Sequence, residues 1–243
     1  MLDMAGGKMY WTDSGTEKIQ RANLDGSNIE DIVTGVKDPN GIALDVAGGK
    51  MYWAGWDNIQ RADLDGQNIE DLVEPYIDII EEDVASGKVY WTVGFNGKIQ
   101  RADLGQNIDD HVKSCIDNII EEGLAGVYPL GIALDVAGGK MYWTEKWPNK
   151  IRRANLDGSN IEDIHIGEPL HGIALDVAGG KVYWTDRDDG MNRILRVNLD
   201  GSFVEELFTP RMLEAPHDIA LDVAGDKMYW TAGGGGGREH KIQ

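Results

Sequence analysis

One phrase governs what this chain can fold into. "GIALDVAGGKMYW" occupies residues 41–53, returns unchanged at 131–143, and appears a third time at 172–184 with Val in place of Met. Aligning on its Tyr-Trp pair brings out six copies: Tyr10-Trp11, Tyr52-Trp53, Tyr90-Trp91, Tyr142-Trp143, Tyr183-Trp184 and Tyr229-Trp230. The tyrosines are spaced by 42, 38, 52, 41 and 46 residues. A period near 40 signals a repeat architecture in which each unit is one supersecondary element that buries its apolar face against its neighbours.

Within one unit the runs "GIALDV", "KMYWA", "NIQRADL" and "NIEDLV" are short and rich in β-branched and aromatic residues, and "AGG" and "DGQ" punctuate them. Short runs bounded by Gly and Asp-Gly are strands joined by tight turns. Each unit therefore reads as a four-stranded antiparallel meander, and six such sheets set radially make a six-bladed β-propeller, an all-β fold. Residue size fits the wedge: Gly41 and Ala43 lie where sheets converge, and Tyr52 and Trp53 where they diverge. The twelve Tyr-Trp residues are accordingly expected to be structural, filling the space between blades. The expected units run about 1–35, 36–74, 75–113, 128–167, 168–209 and 216–243, with an insertion at about 114–127, all within one domain over 1–243.

"MYWTD", "VYWTD", "KIQRANLDGS" and "GIALD" resemble the YWTD repeats, also called low-density lipoprotein receptor class B repeats, along essentially the whole chain. The resemblance implies a six-bladed propeller that binds protein ligands, in several cases on the face around its axis. It also suggests an extracellular or periplasmic setting, although the sequence begins with no signal peptide. Cysteine-rich flanking modules, usual for such propellers in animal receptors, are absent here. The likeness among the repeats fits either recent duplication or a consensus-like engineered sequence.

The repeat is incomplete at both ends. "MLD" supplies only the tail of a first strand, and "KIQ" only the start of a third. The sixth unit is read as three-stranded, with a fragment of a longer array, or strand exchange with another chain, as the alternatives. The glycine run 233–237 should fall in a loop of that unit and make it mobile.

Charge narrows the partners. With 42 acidic against 23 basic residues the formal charge is −19, which repels nucleic acid and anionic membranes. No apolar run is long enough to insert into a bilayer, and the single cysteine, Cys115, permits neither an intrachain disulfide nor a cysteine zinc cluster. No cofactor is expected, and the chain is read as a monomer.

The turns "VAGGK" and "LDGSN" hardly vary, whereas the segment after "YWT" and the connection to the next unit change in nearly every copy. In a meander those two connections emerge on one face, and a binding function should sit there. The ligand-binding face is assigned to Trp56, Tyr76, Phe95 and Trp147, with Asn40, Asp78, His171 and His217 at the mouth of the channel. Tyr128, Leu130 and Asp218 are further candidates. Aromatics rimmed by acids such as Asp57, Glu74 and Glu145 have the composition of a protein or peptide hot spot. The insertion is long enough to form a small cover over the face.

Other chemistry is weaker. In the third unit "IIEED" replaces "GIALD" and places Glu81 and Glu82 near the axis, where Glu81, His171 and His217 are the alternative ligands of a divalent metal. "TDRDDG" at 185–190 opens like a calcium loop, but the later glutamate is missing, which leaves an acidic turn. Asp13 with Arg21, Glu145 with Arg153 and Asp186 with Arg196 are expected as cross-strand ion pairs, and Arg61 and Arg101 are expected to lack such a partner. The leading function is a non-catalytic module that binds a protein or peptide. The alternatives are a lactonase- or lyase-like propeller enzyme with a metal in its channel, and a scaffold without a ligand.

Overall fold

The computed structural model describes residues 1–56, 58–73, 80–83, 87–93, 97–103, 117–121, 128–167, 169–188, 191–208, 214–234 and 240–242. The chain divides into two compact units, Met1–Gly123 and Leu124–Gln243, where the sequence reading takes one domain. Every described element is a strand, and the sheets are the antiparallel blades of a β-propeller.

In the first unit, blade one comprises β1 (Leu2–Asp3), β2 (Lys8–Asp13), β3 (Lys18–Asn23) and β4 (Glu30–Thr34). Blade two holds β5 (Ile42–Asp45), β6 (Lys50–Ala54), β7 (Ile59–Asp63) and β8 (Glu70–Val73). Blade three holds β9 (Ile80–Asp83), β10 (Lys88–Val93), β11 (Lys98–Asp103) and β12 (Asp117–Glu121). In the second unit, blade four has β13 (Pro129–Asp135), β14 (Lys140–Glu145), β15 (Lys150–Asn155) and β16 (Glu162–Ile166). Blade five has β17 (Ile173–Asp176), β18 (Lys181–Asp188), β19 (Met191–Asn198) and β20 (Glu205–Phe208). The last sheet has only β21 (Glu214–Asp222), β22 (Lys227–Gly234) and β23 (His240–Ile242).

Six four-stranded blades are thus corrected to five, because Tyr229-Trp230 sits in a three-stranded sheet whose β23 has no outer neighbour among the described strands. Within the insertion expected at about 114–127, β12 pairs with β11 as the fourth strand of blade three. Of the glycine run, Gly233 and Gly234 end β22 and Gly235–Gly237 lie outside the described residues.

Tyr and Trp are neighbours in the sequence because a strand's successive side chains face opposite ways. Tyr10 packs with Trp53 of the next blade, and Tyr52 with Trp91. Tyr142 likewise packs with Trp184, and Tyr183 with Trp230. In blades two and five the pair therefore serves two interfaces, tyrosine forward and tryptophan backward. Trp53, Trp91, Trp143 and Trp184 are fully buried. The "LD" of "GIALD" closes the following hairpin through its carboxylate, as when Asp45 Oδ1 accepts the Gly48 N–H at 2.6 Å and Asp135 Oδ1 accepts that of Gly138 at 2.8 Å. All five blades also shift register between their third and fourth strands at the same repeat position, such as Ile19/Gln20 and Ile151/Arg152. Such a bulge increases the twist of the outer strand.

The expected ion pairs are re-drawn by the strand register. Arg21 lies opposite Tyr10, while Asp13 lies opposite Lys18. Arg21 pairs instead with Glu30 on the fourth strand at 2.6 Å, Arg101 with Asp117 at 2.7 Å and Arg196 with Glu205 at 2.7 Å. Arg61 pairs with Glu70 and Arg153 with Glu162 in the same way, so Arg61 and Arg101 are not left without partners. The motif acids find other arginines: Glu145 meets Arg152 at 3.2 Å, and Asp186, fully buried, is gripped by Arg193. The repeated arginine also links blades. Arg21 Nη1 donates to the Leu64 carbonyl at 3.2 Å and Arg153 Nη1 to that of Leu199 at 3.0 Å, each guanidinium lying 5.9 Å from its own blade's tyrosine ring.

Candidate functional site

The threonine of "YWT" sets where the candidate channel residues stand. Thr144, fully buried at the end of β14, accepts the Gly131 N–H at 2.9 Å and donates to the carbonyl of His171 at 2.7 Å. One blade on, Thr185 accepts the Gly172 N–H at 3.0 Å and donates to the carbonyl of His217 at 2.6 Å. Thr12 donates in the same manner to the carbonyl of Asn40. A residue at the entry to one blade's inner strand is thereby pinned by the hydroxyl of the preceding blade. The glycine beside it is required by close approach: a Cβ on Gly172 would lie 2.6 Å from the His217 carbonyl oxygen, and one on Gly131 would lie 2.7 Å from that of His171.

This geometry brings His171 and His217 together. Their ring centroids are 5.8 Å apart, edge to face. Arg187, two residues beyond the pinning Thr185, places Nη1 against His217 Nε2. An arginine can only donate, so His217 accepts at Nε2 in this contact and carries its proton on Nδ1. Burial, with Arg187 and Lys146 adding positive charge, holds the His171 pKa below its ordinary value. Asp218 keeps contact with solvent, yet the protein gathered around it pushes its carboxyl pKa up, and its Oδ1 accepts the Ile219 N–H at 3.0 Å.

Lys146 and Arg187 escape a reading of the sequence that attends to aromatics and to the residues before each inner strand. A signal for them does exist in the alignment. The second residue after "YWT" or its equivalent is Ser14, Trp56, Gly94, Lys146, Arg187 and Gly233, so two successive units put a cation where others put serine, glycine or tryptophan.

The remaining predicted residues divide. Trp56 and Trp147 are exposed over 58% and 59% of their surface, the first in the first unit and the second in the second. Asn40 is exposed, and Tyr128 is partly so, its carbonyl accepting the Lys146 N–H at 2.9 Å. Tyr76, Phe95, Asp78, Asp57 and Glu74 lie outside the described residues. Glu81 stands on β9 opposite Tyr90, in the first unit, whereas His171 and His217 belong to the second. Among the described residues no three or more His, Cys, Asp or Glu side chains gather as metal ligands. In "TDRDDG", Asp186 is committed to Arg193. No helix among the described residues is long and apolar enough to cross a membrane.

Residues 7–46 match the low-density lipoprotein receptor repeat class B, and the chain carries YWTD-type repeats. It is 28% identical over 158 residues to the low-density lipoprotein receptor-related protein 5-like protein of Homo sapiens, a match covering 62% of this chain and 59% of that protein. The chain thus spans about three fifths of that relative. Nidogen-2 of Mus musculus is 38% identical over 80 residues, covering 33% of this chain and 5% of nidogen-2. Among solved structures, a chain of the nidogen/laminin complex superposes with a TM-score of 0.75 at 19% identity, over 97% of this chain and 92% of that one. A gluconolactonase from Xanthomonas campestris superposes with a TM-score of 0.73 at 16% identity, over 93% and 79%. At these identities the structural likenesses speak for the propeller fold alone.

Proposed function

We propose that this YWTD-repeat propeller is a non-catalytic module that receives a protein or peptide on the loops that follow its second strands and precede its first strands. The observation that carries this reading is the exposure of Trp56 and Trp147, two large aromatics outside the repeated motif, in a chain whose motif tryptophans Trp53, Trp91 and Trp184 are buried between blades. Large exposed aromatics supply binding energy at low conformational cost and dominate protein-protein hot spots. The turns on the other side are spent on closing hairpins, "VAGGK" through the aspartate that precedes it and "LDGSN" through its own. A relative named as a receptor-related protein supports the same reading.

Selection of a displayed random-peptide library on the immobilised protein tests it. Enriched peptides should lose about tenfold or more in affinity for Trp147→Ala or for Trp56→Ala. Neither variant should shift thermal stability by more than about 0.5 kcal/mol, since both rings are surface groups. Enriched peptides that bind both variants as well as the parent protein would remove the aromatic platform.

A further inference from the structure

We infer that Arg187, Lys146, His171 and His217 form a subsite for a carboxylate, so that the peptide received by this face presents an acidic group to the second unit. The inference rests on the reading above and adds to it the charge of the residue recognised. Its first support is placement. Lys146 and Arg187 occupy the same repeat position in successive blades, and His171 and His217 are held by Thr144 and Thr185, the threonines two residues before those cations. Two cation and imidazole pairs are therefore set side by side by one repeated device, with the imidazoles 5.8 Å apart.

The second support is what the neighbouring carboxylates do. Glu145, beside Lys146, is buried and engaged by the Trp143 indole N–H at 2.9 Å and by Arg152. Asp186, beside Arg187, points to the opposite side of β18, where Arg193 holds it. Asp218 accepts from its own neighbour's backbone. In a protein with nearly two acids for each base, Lys146 and Arg187 have no carboxylate partner among the described residues, although acids adjoin both in sequence. Neither cation is sequestered: both are exposed.

The chemistry suits a carboxylate. Arg187 uses one Nη1 proton on His217 Nε2, which steadies the guanidinium plane, and among the described residues no partner takes its Nε and Nη2 edge, the edge that suits a two-pronged contact with a planar carboxylate. Lys146 adds a point charge. Burial and the two cations disfavour the charged form of His171, and an anion entering here offsets them. An anion entering here replaces solvent around charges that no acid among the described residues pairs with.

The test is a titration of protein labelled with 15N and 13C at histidine, its imidazole signals assigned with His171→Gln and His217→Gln. The probes are Ac-Gly-Glu-Gly-NH2, its uncharged counterpart Ac-Gly-Gln-Gly-NH2, Ac-Gly-Gly-Gly with a free C-terminus, and inorganic phosphate. The glutamate peptide or the free C-terminus should move both imidazoles saturably, with an affinity about tenfold above that of the glutamine peptide, the usual gain from a charge-assisted contact. Which of the two binds tighter identifies a side chain or a chain terminus as the source. Arg187→Gln should remove that preference and Lys146→Gln should reduce it, while both keep the parent melting temperature. Equal binding of the glutamate and glutamine peptides, indifference to Arg187→Gln, or saturation by phosphate below either carboxylate would overturn the subsite. Failure of the Trp147 and Trp56 variants to weaken selected peptides is a separate outcome. It would leave this titration unchanged and count against the aromatic platform alone.

Discussion

Thr185 donates its hydroxyl proton to the carbonyl of His217 2.6 Å away, so the threonine of one "YWT" fixes the start of the next inner strand. Because Thr185 is fully buried and also accepts the Gly172 N–H, Thr185→Val keeps the volume and loses both bonds. The expected cost is about 1–3 kcal/mol in urea unfolding, together with a changed His217 imidazole signal. An unchanged midpoint would mean that packing and the backbone bond from the Gly172 N–H to the His217 carbonyl position the inner strand without the hydroxyl.

Phe203 occupies a turn position that the other blades give to asparagine. Asn28, Asn68 and Asn160 have φ of 54°, 55° and 55°, and Phe203 adopts 55° with 83% of its surface exposed. A left-handed backbone costs most side chains energy that asparagine largely avoids. Phe203→Asn should therefore stabilise the protein by about 1 kcal/mol, read as a higher melting temperature. A lower melting temperature would show that the ring makes contacts worth more than the strain.

Burial separates two kinds of ion pair. Asp186 is fully buried and Arg193 nearly so, hence Arg193→Gln leaves a buried carboxylate without its guanidinium and should cost about 3–5 kcal/mol. Glu30, which holds Arg21 from an exposed position, is the control: Glu30→Gln should melt with the parent protein. Equal effects of the two variants in chemical denaturation would refute the distinction.

His171 gives the protein a pH dependence of known sign. Its folded pKa lies below the unfolded value of about 6.5, so the unfolded chain binds the proton more readily. The stability it supports is complete above that value and declines as the pH falls through it toward the folded pKa. Melting temperatures measured between pH 8 and pH 5 should fall at the acid end, and His171→Gln should flatten that decline. A carboxylate bound beside His171 raises its pKa, so binding should be accompanied by proton uptake as the pH falls below neutrality. A pH profile identical in the parent and His171→Gln would contradict this assignment.

Much of the fold was legible because it depends on a repeated phrase and on turn chemistry. The Tyr-Trp pairs, the Asp-Gly turns and the truncated last sheet are all visible in the letters. The ion pairs were not, because Asp13 and Arg21 lie on adjacent strands but three positions apart in register, and the fourth strand offers Arg21 a nearer acid. β12 was missed as a strand because "DNIIE" follows a departure from the repeat, where no copy guides the alignment. At the site, the exposure of Trp56 and Trp147 followed from their lying outside the motif. The pairing of Lys146 and Arg187 with the two histidines did not, since it is made by a hydroxyl that reaches from one blade to the next.

The central claim is that binding uses the variable loops and spares the repeated turns. Hydrogen exchange of the protein with and without a selected peptide tests it most directly. The account predicts slowed exchange at amides near Lys146, Trp147 and His171, and no change at the turn Gly158–Asn160. Protection centred on that turn and its equivalents, with the loops unaffected, would contradict it.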